Sequence, residues 1–276
     1  MTWYEPRSRV LRLRTYDELA RAEFRRYSTY RAATLAGIFT NSVFGFIRLG
    51  LLLAAIAAAG GTLGGYSPQE ASTYVWLGQA FLAPVAMFAW GDLAERVRTG
   101  EIAVDLARPL DLQLSWWVRD LGRAVFALPT RGLGPLLVGA LTIGVALSES
   151  WTSYPLGLLS LLLGVSVSFL CRYGMNLIAF WTVDVQGFLN LYSLVLGLLS
   201  GFYLPVHVFP GWLQTVASAS PFPAMFQVPI DVMSGRVVGA AAWQVIASQM
   251  SWMIGLVVLT RVVLWRATRR LVVQGG

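Results

Sequence analysis

Apolar residues gather into six long runs along the chain, near 32–58, 71–93, 124–147, 154–182, 187–205 and 240–264, with short polar stretches between them. A helix needs roughly 20 mostly apolar residues, each rising about 1.5 Å, to cross the hydrocarbon layer of a bilayer. Each run is about that long, so the pattern predicts an all-α polytopic membrane protein with six transmembrane helices. The first run is too long and too deeply preceded by charge for a cleaved secretory signal, whose apolar region spans roughly 7 to 15 residues. It is expected to stay as a span.

Two stretches follow neither rule. Residues 15–31, TYDELARAEFRRYSTYR, place Tyr16, Leu19, Ala20, Phe24, Tyr27 and Tyr30 on one helical face, with arginines and acids on the other. That spacing predicts an amphipathic helix along the membrane surface, with Thr15 as its cap and Glu18 completing a capping box. Residues 205–235 are apolar, but Pro205, Pro210, Pro221, Pro223 and Pro229 cut them into pieces too short to cross. Irregular backbone at membrane depth survives only inside protein or along a cavity. A re-entrant hairpin of two short helices, near 210–219 and 222–234, is therefore expected, with Ser220 capping the second.

Composition agrees with lipid as the solvent. Of 276 residues 56% are hydrophobic and 13% charged, against about 25% charged in soluble domains, and the mean hydropathy is +0.61. The net charge is +7 and every basic residue is arginine. These arginines flank apolar runs, so anionic lipid and membrane orientation account for them, and nucleic acid is set aside as a partner. Eight arginines precede the first run, five (Arg96, Arg98, Arg108, Arg119, Arg123) flank the segment between the second and third, and three (Arg266, Arg269, Arg270) follow the last. Only Arg236 falls in a loop on the other side. Positive charge is retained on the cytoplasmic side, so both termini are expected there. The chain then divides into a cytoplasmic basic tail with its interface helix (1–31), a six-span domain (32–265) and a cytoplasmic tail (266–276).

Several chemistries are excluded or disfavoured. Without lysine there is no Walker A phosphate loop, and GGTLGG at 60–65 lacks the spacing and the preceding strand of a nucleotide fingerprint. One histidine, His207, cannot form a zinc-protease motif, no G-x-S-x-G occurs, and the lone Cys171 forms no disulfide framework. Intramembrane arginines cost roughly 2.5–3.5 kcal/mol each at mid-depth, so Arg48, Arg131 and Arg172 call for a reason. For Arg172 that reason is pairing, with Asn176 and Asn190 as candidate neighbours. For Arg131, snorkelling to headgroups competes. Asp92, Glu149 and Asp184 sit at run ends, leaving no acid near mid-span to bind a coupling ion. Gly197 and Gly201 form a G-x-x-x-G that permits close helix approach.

The polar segment ERVRTGEIAVDLARPLD, residues 95–111, stands between two apolar runs. Glu95 and Arg98, or Arg98 and Glu101, can share a helix face. Gly100 loosens that helix, and Arg108–Pro109 ends a second short one presenting Ile102, Val104 and Leu106. Taken in order, the surface helix, this segment, the six spans and the hairpin G-F-Y-L-P-V-x-x-F-P-G-W-L-Q-T-V-A-S-A-S-P at 201–221 resemble the permease subunit of an ABC exporter of the ABC-2 type. The resemblance covers nearly the whole chain. The inner segment is similar to the family's coupling element at Glu95, Arg96, Gly100, Glu101, Ile102, Leu106, Arg108, Pro109 and Leu110.

That resemblance implies a multi-pass protein of the bacterial plasma (inner) membrane with no cofactor of its own. Two permeases, identical or related, would face each other across a path, and two ATPase subunits holding ATP and Mg would bind below. The coupling residues are expected to be Glu95, Arg98, Gly100, Glu101, Ile102, Leu106, Arg108 and Pro109. Pathway or intramembrane polar candidates are Arg48, Arg172, Asn176, Asn190, Phe202 and Tyr203. Aromatic-rich spans suit a hydrophobic or amphipathic cargo such as a drug or lipid. A secondary transporter or channel is the second reading, and an intramembrane enzyme the third.

Overall fold

The computed structural model describes residues 5–28, 31–88, 91–182 and 184–269, together with side chains from Arg14 onward except those of Arg31 and Ala33. Tyr30, Arg270 and most of the expected tail lie outside the described residues. In chain order the helices are α1 (Glu5–Ser28), α2 (Arg31–Ala58), α3 (Pro68–Val85), α4 (Asp92–Arg98), α5 (Ile102–Ala107), α6 (Leu112–Ala127) and α7 (Leu133–Thr142). They continue with α8 (Ser153–Leu177), α9 (Gln186–Leu199), α10 (Gly211–Ser218), α11 (Phe222–Met225), α12 (Gln227–Met233) and α13 (Gly239–Thr268).

Four helical stretches are long and apolar enough to cross a membrane: Thr34–Ala58, Leu112–Thr142, Ser153–Phe180 and Gly239–Thr268. They correspond to the first, third, fourth and sixth apolar runs. The third starts at Leu112 rather than near 124, because α6 and α7 are joined through one π turn, Leu128–Gly132, into a continuous helix. Its polar first half does not end it, since Gln113, Ser115, Asp120 and Arg123 are buried against protein. The second run is only the 18-residue α3, and the fifth the 14-residue α9.

Helix α1 begins ten residues before Thr15, which is therefore internal and not a cap. Arginine and leucine before Thr15 are good helix formers, so nothing local stops the helix there. Its aromatic face lies on α6. Phe24 meets Phe126 edge to face at 5.2 Å, and the Tyr16 hydroxyl accepts from the Asp111 amide at 3.0 Å. Gly122 makes this possible: a Cβ there would stand 2.3 Å from the Ala20 carbonyl oxygen.

Helices α3 and α8 form the centre. Trp76 of α3 is fully buried, its ring slotted between Gly45 of α2 and Gly139 of α7, where any Cβ would overlap it. Ser67 caps α3 in a capping box with Glu70. Pro84 lies in the last turn of α3, and Ala86 follows at φ 53°, the only non-glycine residue with positive φ among those described. The break here is what divides the expected second span.

The segment after α9 folds as the prolines predict, into short pieces: α10, then α11 and α12 separated at Phe226. Met225, Phe226, Ile230 and Val232 are completely buried. Gly164 of α8 lets the Met225 carbonyl approach to 2.7 Å of where a Cβ would be. Ser220 does not cap the second helix; its hydroxyl donates to the Ala217 carbonyl at 2.7 Å instead.

Candidate functional site: a charged elbow and a buried ionic hub

The segment expected to couple is an elbow of two short helices. Gly100, at φ +80°, turns the chain between α4 and α5, and α5 ends at Arg108 before Pro109. The turn swings Glu101 away from Arg98 and onto Arg96, whose Nη1 lies 3.0 Å from the Glu101 carboxylate. Arg96 Nε also donates to Asp105 at 2.6 Å, clamping α4 to α5. Arg98 pairs with Glu95, at 2.5 and 2.8 Å, and this hydrogen bonding holds the exposed Glu95 carboxyl below the usual carboxylate range. Arg108 reaches Asp105 at 3.8 Å. Of the two pairings that helical spacing allowed, Glu95–Arg98 is present, and Glu101 pairs with Arg96 instead of Arg98.

The expected apolar docking face is also corrected. Ile102 is fully buried, and with Leu93 it joins Leu112, Phe169, Leu170, Tyr173 and Leu177 in one apolar cluster. Leu106 packs against the same cluster, and only Val104 is exposed. The elbow therefore roots itself through its apolar side and presents Glu95, Arg98, Glu101 and Arg108 to the outside.

Beneath the elbow sits a group that periodicity did not find. Asp120 of α6 is buried between two arginines, accepting from Arg123 Nε and from Arg172 Nη2, each at 2.9 Å. Arg123 also donates to the Ala83 and Pro84 carbonyls at 2.7 Å, and the Ser168 hydroxyl donates to the Val85 carbonyl at 2.7 Å. At the broken end of α3 the Ala83 carbonyl also accepts from the Ala86 amide at 3.2 Å, and α6 and α8 supply the remaining donors to these last carbonyls. Asn176 donates to the Arg172 carbonyl at 2.8 Å and accepts from the Ala94 amide at 3.0 Å, so it ties α8 to the first turn of α4. Arg172 has the pairing role expected of it, but with Asp120. Asn190 is not involved: exposed on α9, it accepts from Gln186 at 2.9 Å. Asp120, in the first third of the Leu112–Thr142 stretch, is a buried acid that was not among those named at the run ends.

A cavity of ≈ 340 Å³ opens between α1, α4, α6 and α8, lined by Arg26, Glu95, Arg96, Arg119, Asp120 and Arg172 among others. A family model described as "ABC-2 family transporter protein" matches residues 43–275, which take in the elbow, the hub and the proline-broken segment. The chain belongs to the ABC-2 transporter family. It has no match among curated proteins. ABC-2 family permeases are transmembrane components that work with ABC ATPases and are not themselves catalytic.

Elsewhere in this ABC-2 permease, Arg48 of α2 donates to the Phe202 carbonyl and lies over the Phe202 ring at 4.7 Å. Gln79, with its amide oxygen turned toward Arg48, accepts from it at 3.1 Å and donates to the Asn41 carbonyl. Its two terminal nitrogens are thus occupied by backbone beyond the turn at Gly201 and by Gln79, while its Nε is buried without a partner among the described residues. Tyr203 is half-exposed, and its ring covers Gly197, while Gly201 at φ +89° admits Tyr74 and Gln227. The G-x-x-x-G glycines thus serve contacts within the chain. Gln227 accepts from the Val206 amide at 2.9 Å and donates to Asp231 at 2.9 Å, and His207 Nε2 lies 2.9 Å from the same carboxylate. Arg236 stacks over Tyr66 at 4.0 Å and donates to the Gly64 and Gly65 carbonyls of the ABC-2 permease.

Proposed function

We propose that this ABC-2 family member is the permease subunit of an ATP-driven exporter of a hydrophobic or amphipathic compound. It works as a dimer, with an identical or related permease, on two separate ATPase subunits that bind ATP and Mg. In this reading α3 and α9 complete a six-span bundle, the segment 205–235 is a re-entrant hairpin on the outer side, and both termini are cytoplasmic in a bacterial plasma membrane. The observation that carries it is the way the elbow is fastened. Its exposed side is charged, its buried side is anchored to α8 through Asn176, and the hub behind it holds the ends of α3, α6 and α8 together.

Force delivered to Glu95, Arg98, Glu101 and Arg108 by a closing ATPase dimer passes into those three helices without a soft joint. Gly100 and Pro109 give the elbow its shape, and Ile102 and Leu106 give it its grip. Arg48, Phe202 and Tyr203 sit where α2 meets the end of α9, on the side to be opened. The test is co-purification with a P-loop ATPase, followed by replacement of Glu95, Glu101 and Arg108 together. ATPase activity should then persist while cargo movement is lost. Transport by the chain alone would refute the proposal.

A further inference from the structure

A second cavity, of ≈ 180 Å³, lies between α2, the broken end of α3 and the α6–π-turn segment. It is continuous in its lining with the larger one, since Tyr27 and Arg123 face both. Its walls are mostly apolar, including Leu82, Met87, Phe88 and Phe126, and its charged residues are Arg123 and Arg131 alone. Among the described residues no carboxylate lines it.

The two arginines differ. Arg123 is used up by Asp120 and by the carbonyls of Ala83 and Pro84. Arg131 is not. Its Nε is buried with no hydrogen-bond partner among the described residues. A guanidinium inside an apolar helix costs several kcal/mol unless it is paired, and such charges otherwise mark a site. The local fold is built to put it there. Arg131 sits in the π turn Leu128–Gly132, a distortion often found at functional positions. Gly132 lets that turn press against the Ala80 carbonyl, where a Cβ would come within 2.6 Å, and Gly37 of α2 faces the Arg131 side chain, 3.8 Å from where its Cβ would be.

A second arginine of the same helix, Arg119, lines the larger cavity over Trp116, one turn before Arg123. Arg119, Arg123 and Arg131 thus form a cationic file that leads from the elbow cavity into an apolar pocket. Of the acids lining the larger cavity, Asp120 is paired with Arg123 and Arg172, and none of Glu23, Asp92, Glu95 and Asp120 lines the inner pocket, which keeps the charge of Arg131.

We propose that this pocket binds an anionic amphiphile, with Arg131 as counter-ion to a phosphate-like or carboxylate headgroup and Leu82, Met87, Phe88 and Phe126 receiving the first part of its chain. The inference deepens the exporter reading, on which it rests, by naming the charge class of the cargo. Binding is measured on the full-length permease without nucleotide, so its failure leaves ATPase co-purification standing, and the reverse also holds.

The experiment titrates the protein, purified in a neutral maltoside, with dodecyl phosphate, reading calorimetric affinity and thermal unfolding. Wild type binds and is stabilised. Arg131→Gln weakens binding at least about tenfold, the equivalent of one charge-assisted hydrogen bond, yet unliganded it unfolds no earlier than wild type because the partly buried guanidinium makes no hydrogen bond among the described residues that the change would break. Arg131→Lys keeps most of the affinity. Gly37→Leu, which fills the cavity from the opposite wall, weakens binding as well and covers the case of a poorly folded Arg131 variant. Unchanged affinity in Arg131→Gln, or equal binding of dodecyltrimethylammonium, overturns the proposal. Displacement of dodecyl phosphate by millimolar inorganic phosphate also overturns it, by assigning the site to a free anion.

Discussion

Replacing Asp120 by asparagine should be the most damaging single change in the hub. The carboxylate is buried and neutralises two guanidinium groups, each at 2.9 Å. In the variant, Arg123 keeps its two carbonyl acceptors, but among the described residues Arg172 is left with only the 3.4 Å approach of its Nε to Ser168 Oγ. Removing one partner of a buried pair costs about 3–5 kcal/mol because a charge is stranded. Arg172→Gln strands nothing, since Asp120 retains Arg123, and it loses one charge-assisted bond of about 1.5–3 kcal/mol. At roughly 2–4 °C per kcal/mol for a chain of this size, Asp120→Asn should lower the unfolding midpoint by roughly 6–20 °C and Arg172→Gln by about half as much. The two together should cost clearly less than their sum, because the stranded cation of one variant is absent from the other. Thermal unfolding of the four purified proteins in one detergent gives the ranking. Equal losses for the two single variants, or strict additivity, would mean that the hub is not an ion-pair network centred on Asp120.

Other outcomes follow from single contacts. Gly122→Ala should loosen α1 from α6, at a cost of about 1–3 kcal/mol for overpacking, and limited proteolysis should cut α1 first while the rest of the chain stays protected. Arg96→Gln releases the α4–α5 clamp, and should reduce transport more than ATP hydrolysis in the assembled transporter. Ser67→Ala removes a cap worth about 1 kcal/mol. The Glu70 carboxyl is held below its ordinary value chiefly by its hydrogen bonds with Ser67, so its contribution is full at neutral pH and fades as pH falls through the depressed folded value. The stability difference between wild type and Ser67→Ala should therefore shrink in acid, as followed by unfolding midpoints across pH.

The runs that became α2, α8 and α13 were legible because each is a continuous apolar stretch whose partners do not alter its length. The start of the third span was not, for a physical reason. Asp120, Arg119, Arg123, Trp116 and Trp117 have the composition of a membrane boundary, and only the arrival of Arg172 from α8, 52 residues away in sequence, turns Asp120 into an interior residue. The shape of the elbow was readable from Gly100 and Pro109, and the Glu95–Arg98 pair from helical spacing, but the partner of Glu101 was not. The positive φ at Gly100 redirects Glu101 to Arg96, which helical spacing cannot anticipate. Likewise, the prolines foretold short helices at 205–235, whereas the glycines that seat them, Gly157 and Gly164, lie in α8 and carry no local signal. Arg48 and Arg172 were recognisable as costly, but their acceptors are backbone carbonyls and a distant acid.

Ala86 holds a left-handed backbone conformation that an alanine avoids by roughly 1–2 kcal/mol, and the donors gripping the carbonyls just before it belong to α6 and α8. The bend is therefore held from outside, like a sprung latch. If cargo or the motor displaces Arg123 or Ser168, Ala86 is free to relax into a commoner geometry, and the course of the chain below α3 changes with it. A rearrangement of one or two hydrogen bonds can in this way reset the direction of a whole membrane helix.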